Sequence, residues 1–125
     1  MSFTLLVVDD KYLTRRNLTI FFEQLGHHVH EANAGEAAFA LMARLNFDVV
    51  ISDLRLPGTA NGLDVLKHCA QTHPKSGLIL ITAFGSDEVR AEADKLGALY
   101  YEKPISLNEM HAGIETLTHS RNPAT

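Results

Sequence analysis

Short apolar runs alternate with amphipathic stretches along the chain, and that alternation sets the fold class. Leu5-Leu6-Val7-Val8, Val49-Val50-Ile51 and Leu78-Ile79-Leu80-Ile81 are unbroken apolar runs, the pattern of strands covered on both faces. His28 to Ala32 is more polar and predicts an edge strand, and Ala98-Leu99-Tyr100-Tyr101 predicts the last one. Between them lie helical spacings. Leu18, Phe21, Phe22 and Leu25 share one face of a helix from Lys11 to Leu25, with Gly26 in the C-cap region. Ala37, Ala38, Leu41, Met42 and Leu45 predict a second helix, and Leu63, Leu66, Cys69 and Ala70 a third. Val89, Ala93 and Leu96 predict a fourth, opened by Ser86 and stopped by Gly97. Leu107, Met110, Ile114 and Leu117 line a fifth, where Ser106 and Glu109 have the form of a capping box. Residues 1–119 read as one domain, and 120–125 as a flexible tail or the start of a linker.

Five strands alternating with five helices imply an α/β fold, a parallel sheet with helices on both faces. Right-handed crossovers bring every strand-to-helix loop to one edge of that sheet, where ligands bind in such folds. The residues following the apolar runs should therefore converge. They are Asp9-Asp10 after the first run, Ser52-Asp53 after the third, Thr82 after the fourth and Lys103-Pro104 after the fifth.

Three carboxylates in one crevice demand a counter-charge, since two of them about 4 Å apart repel by ~4 kcal/mol at an effective dielectric near 20. A hard divalent cation such as Mg²⁺ or Mn²⁺ suits oxygen donors of this kind. Lys103 adds a compact, mobile ammonium. A carboxylate nucleophile so placed can attack a phosphoryl group whose oxygens are neutralised by cation and lysine.

The set Asp9-Asp10, Asp53, Thr82-Ala83 and Lys103-Pro104, with the words Leu6-Val7-Val8-Asp9-Asp10 and Asp53-Leu54-Arg55-Leu56-Pro57-Gly58, resembles the receiver domain of two-component response regulators from about Phe3 to Leu117. The resemblance implies a flavodoxin-like (βα)5 sheet in the order 2-1-3-4-5. It implies Asp53 as phosphoacceptor; Asp10, Asp53 and the Arg55 backbone carbonyl as metal ligands; and Asp9 acting through a metal-bound water. Lys103 would contact the phosphoryl group, Thr82 would hydrogen-bond it after transfer, and Ala83 would leave it room. Two departures stand out: Gly62 falls one residue later than the usual spacing, and Gly97 to Lys103 is one residue short. Counting back three from Lys103 gives Tyr100 as the switch aromatic, but Tyr101 is its rival, because alternation turns only one of them to that surface. Arg55 and Phe84 stand two residues beyond Asp53 and Thr82, positions that in the family flank the path of the hydrolytic water. They are read as tuning the lifetime of the phosphoryl group, the plain alternative being two surface residues.

The expected partners are a histidine kinase or phosphotransfer protein and an unknown output, acting on the surface of the fourth helix, fifth strand and fifth helix, with a homodimer through that surface a further option. The domain is classed as a switch with intrinsic autophosphorylation and autodephosphorylation, not as a metabolic enzyme. Two other readings compete. One is a phosphorylation-independent interaction module on the same fold. The other is an aspartyl phosphohydrolase, which commonly needs a carboxylate two residues after the nucleophile, where this chain has Arg55.

Composition narrows the field further. The chain has 125 residues, 46% hydrophobic and 21% charged, with net charge −4. That acidic balance speaks against a nucleic-acid surface. A single cysteine, Cys69, excludes an internal disulfide, and no apolar run approaches a membrane span. The start, Met1-Ser2-Phe3-Thr4, has no signal-peptide character, and a cytoplasmic setting is expected. His27, His28 and His30 suggest a metal site but read more simply as an edge-strand surface, Arg15-Arg16 as a solvated helix face, and Cys69 as core. No Gly-x-Gly-x-x-Gly motif follows a strand, which argues against nucleotide redox binding.

Overall fold

Residues 2–119 are described by a computed structural model; the 120–125 segment assigned above to a tail lies outside them. Five strands, β1 (Thr4–Val8), β2 (His28–Ala32), β3 (Val49–Asp53), β4 (Gly77–Thr82) and β5 (Leu99–Glu102), form one sheet in the order β2-β1-β3-β4-β5, and every neighbouring pair is parallel. The helices are α1 (Tyr12–Gln24), α2 (Gly35–Met42), α3 (Gly62–Thr72), α4 (Asp87–Lys95) and α5 (Leu107–His119).

Strand alternation divides the core into two layers. Leu5, Val7, Val49, Ile51, Ile79 and Ile81 meet Leu18 and Phe22 of α1 and Met110 and Ile114 of α5. Leu6, Val8, Val50, Leu78 and Leu80 meet α2, α3 and α4 through Ala38, Met42, Leu66, Cys69 and Ala93. The three central strands carry unbroken apolar runs because both faces are covered, and their polar residues gather at the strand ends. β2 is polar because it forms an edge.

Helix ends follow their local chemistry. Gly26 and Gly97 take the positive φ that ends α1 and α4, a conformation open to glycine at little cost. Ser86 accepts from Val89 N at 3.2 Å, and Ser106 from Glu109 N at 3.3 Å. A reciprocal capping box not foreseen from the sequence opens α3, where Asn61 Oδ1 accepts from Asp64 N and Asn61 N donates to Asp64 Oδ2, each at 2.9 Å. Two apolar positions depart from expectation. Leu25 and Leu45 lie beyond the ends of α1 and α2 and are 46% and 36% exposed, because each helix stops before its periodicity does. The last strand begins at Leu99, one residue later than expected.

Candidate functional site

The carboxyl edge of the sheet gathers the residues that the sequence scattered. Asp9 follows β1 directly, Asp53 ends β3, Thr82 ends β4, and Lys103 follows β5. Among the described residues, Asp9, Asp10 and Asp53 form the one acidic group whose ligand atoms all lie within 4.8 Å of one another. Asp9 and Asp53 are buried, whereas Asp10 is exposed and opens the cluster to solvent. Hard oxygen donors at this spacing, open on one side, fit a divalent cation that keeps part of its water shell.

Lys103 closes the other side. Its Nζ lies 3.3 Å from Asp9 Oδ2 and 3.5 Å from Asp53 Oδ2, and its side chain is only 17% exposed. Burial, and after it the Asp9 carboxylate, push the Asp53 carboxyl above its ordinary value, against the pull of Lys103 and Lys11. The Lys103-Pro104 peptide, whose isomer the sequence left open, is cis.

Each group is held by backbone. Asp9 N donates to Ala32 O at 3.0 Å, and Asp9 Oδ1 accepts from Lys11 N at 2.9 Å. Leu54 N, just beyond Asp53, donates to Ile81 O at 2.9 Å, and Lys103 N donates to Thr82 O at the same distance. Gly62 explains itself here, because a Cβ at that position would meet the Asp53 carbonyl oxygen at 2.1 Å. The Thr82 hydroxyl is buried and accepts from Phe84 N at 2.9 Å, tying the loop after β4 to that side chain. Ala83 is exposed beside it.

Arg55 and Phe84 are both at the surface, yet they are not independent: the Arg55 guanidinium carbon lies 4.1 Å from the Phe84 ring centroid. The two β5 tyrosines face opposite layers. Tyr100 packs with the α4 layer, its hydroxyl bonded to Glu102 Oε2 at 3.2 Å and its ring under Arg90 at 4.5 Å. It also fills the space that a Cβ on Gly85 would need, in the loop that follows Thr82. Tyr101 packs with the α5 layer, its hydroxyl 3.4 Å from Glu109 O.

Two sequence readings are corrected. Arg15-Arg16 is not simply a solvated face: Arg15 is 15% exposed, donates from Nε to Glu31 Oε1 at 2.8 Å and from Nη1 to the Asp9 carbonyl at 2.9 Å. His27 is not part of an edge strand but a buried residue preceding β2, with Nε2 lying 3.2 Å from His111 Nε2. Its Nδ1 accepts from Phe3 N at 3.1 Å. His28 and His30 do lie on β2. Cys69 is core, and burial raises its thiol.

Comparison with known proteins gives one consistent result. The family described as response regulator receiver domain matches residues 5–115. The chain is 34% identical over 119 residues to the response regulator protein PilR of Pseudomonas aeruginosa, covering 94% of this chain and 26% of PilR. It is 28% identical over 116 residues to sporulation initiation phosphotransferase F of Bacillus subtilis, covering 92% of this chain and 93% of that protein. Among solved structures, the receiver domain of the Francisella response regulator 1452 superposes with a TM-score of 0.86 at 27% identity, over 95% of this chain and 98% of that one. The chain thus spans about a quarter of PilR and nearly all of the sporulation protein.

Proposed function

The chain belongs to the response regulator receiver domain family, and from that premise we propose that Asp53 accepts a phosphoryl group from a histidine kinase or phosphotransfer protein, making the domain a phosphorylation-dependent signalling switch. The observation that carries this reading is the Asp53 carboxylate, buried at the sheet edge and bridged to the Asp9 carboxylate by the Lys103 ammonium.

The chemistry is a displacement at phosphorus. An Asp53 oxygen forms the new P–O bond while the P–N bond of a donor phosphohistidine breaks, and the imidazole leaves. Asp10, Asp53 and the Arg55 carbonyl would hold Mg²⁺ or Mn²⁺, with Asp9 one water away, and the cation would supply charge neutralisation for the transferring oxygens. Lys103, already poised between the two carboxylates, exchanges a carboxylate contact for a phosphoryl oxygen. Asp9 keeps its bond from the Lys11 N–H when that contact is given up.

Phosphorylation adds charge and acceptor oxygens at the end of β3. The Thr82 hydroxyl, an acceptor for Phe84 N, also has a proton to donate, and turning toward the phosphoryl group draws its loop inward. Gly85 lies in that loop against the Tyr100 hydroxyl, so inward movement changes the space open to Tyr100. The surface formed by α4, β5 and α5 then changes its affinity for an output partner or a second copy, as a shift between two states. Arg55 and Phe84 stack over the same two loops and slow loss of the phosphoryl group.

Incubation with acetyl phosphate, read by intact mass, tests the proposal. A phosphoryl adduct that requires Mg²⁺ and is absent in Asp53→Asn supports the switch. No adduct, together with no binding of beryllofluoride, favours the phosphorylation-independent interaction module instead.

A further inference from the structure

Asp10 is the exposed member of the acidic group, and the backbone that carries it fixes the point from which its carboxylate reaches the cluster. That backbone is the Asp9–Asp10 peptide, whose carbonyl oxygen belongs to Asp9. The oxygen accepts from Arg15 Nη1 at 2.9 Å, while on the other side of the residue Asp9 N donates to Ala32 O at 3.0 Å. Arg15 lies one turn into α1, where its own N–H donates to Lys11 O at 3.0 Å. Its guanidinium is not free to drift. Nε donates to Glu31 Oε1 at 2.8 Å, and Arg16 Nη1 occupies the other Glu31 oxygen. Burial raises the Glu31 carboxyl, but the bonds from Arg15 and Arg16 outweigh it and hold the group below its ordinary value, so it is ionised at neutral pH. Glu31 lies on β2 next to Ala32, so one strand end anchors both the N–H and, through Arg15, the carbonyl of Asp9.

Resting on the metal reading above, we propose that Arg15 is a positioning residue for the cation site: its fork, fixed by Glu31, holds the Asp9–Asp10 peptide so that the Asp10 carboxylate faces Asp53. Arginine suits the task because its planar group delivers two hydrogen bonds in set directions, which lysine does not. Groups that orient metal ligands from behind commonly change affinity by about 10- to 100-fold when removed.

The sign of the effect separates positioning from charge. Removing a cation beside an acidic site strengthens cation binding by electrostatics alone. Positioning requires the opposite. Mg²⁺ titration by calorimetry on the whole chain should therefore give binding about tenfold weaker in both Arg15→Gln and Arg15→Lys. Arg16→Ala, which leaves the Asp9 carbonyl bond in place, should bind like wild type or slightly tighter. Circular dichroism of each metal-free variant checks that it is folded, and Arg15→Lys carries the test if the neutral variant is not. Equal or tighter Mg²⁺ binding by folded Arg15→Lys would overturn the role of Arg15 while leaving the metal reading intact. A wild-type chain that binds no Mg²⁺ would instead overturn the metal reading itself.

Discussion

The Arg55 guanidinium carbon lies 4.1 Å from the centroid of the Phe84 ring, joining the loop after β3 to the loop after β4. Such a contact at an exposed site contributes about 0.5–1 kcal/mol. If it holds both side chains over the approach to Asp53, Phe84→Ala should shorten the phosphoryl lifetime about two- to fivefold. Arg55→Ala should do the same, and the double variant should add little to either. Loss of the phosphoryl mass after donor removal gives the rates. Unchanged rates in both single variants would leave the pair as ordinary surface residues.

The two tyrosines of β5 face different layers, and Tyr100 is the one whose hydroxyl lies against Gly85 in the loop that follows Thr82. The chain has three tyrosines, so fluorotyrosine labelling gives three resolvable ¹⁹F signals, assigned by Tyr→Phe variants. Beryllofluoride with Mg²⁺ should move the Tyr100 signal most, with Tyr101 moving little. A dominant Tyr101 shift would transfer the switch role to the α5 side.

The acidic site opposes folding when no metal is present. Burial first, and Asp9 second, raise the Asp53 carboxyl in the folded state. A carboxyl so raised is protonated more readily in the folded than in the unfolded chain, so stability falls as pH rises through its titration range. Asp53→Asn should therefore raise the melting temperature of the metal-free protein near neutral pH, by on the order of 4 °C or more. The gain should shrink in acid and under saturating Mg²⁺. A thermal scan in chelator that shows no gain would contradict this account of the site's electrostatics.

His27 makes the opposite kind of pH dependence. Burial first, and His111 second, lower its value below the ordinary 6.5. Phe3 N–H occupies Nδ1, so the His27 proton sits on Nε2 and points at His111 Nε2, while His111 Nδ1 lies 3.7 Å from Glu115 Oε1. Protonating His27 sets a second donor, on Nδ1, against the Phe3 N–H. The neutral form is favoured in the fold, so its stability is full above 6.5 and is lost as pH falls toward the lowered value. Between about pH 7.5 and about pH 5.5 the melting temperature should drop, and His27→Gln should flatten that slope. A slope unaltered by the substitution would place the acid sensitivity elsewhere.

The sheet and its site were legible because a parallel α/β pattern leaves little freedom. Short β-branched apolar runs such as Val49-Val50-Ile51, set between helical spacings, favour covered strands, and crossover handedness then sends Asp9, Asp53, Thr82 and Lys103 to one edge. The errors lie where tertiary contact overrides local pattern. Arg15 is polar at a polar helix position, and nothing in α1 alone reveals that Glu31 and the Asp9 carbonyl meet it. His27 precedes β2, but its partner His111 is on α5, far along the chain. Leu25 and Leu45 continued a helical period past the point where the backbone had already turned. Gly62 appeared as a displaced glycine, and its reason, the Asp53 carbonyl oxygen against its Cα, exists only in three dimensions.

The most direct measurement is the location of the phosphoryl group. Acetyl phosphate with Mg²⁺, followed by borohydride reduction, converts an acyl phosphate to homoserine at the modified position, and tandem mass spectrometry of the peptides identifies it. Homoserine is expected at residue 53, with Asp9 and Asp10 unchanged. Homoserine at residue 9 or 10, or an adduct that resists borohydride altogether, would contradict Asp53 as the phosphoacceptor.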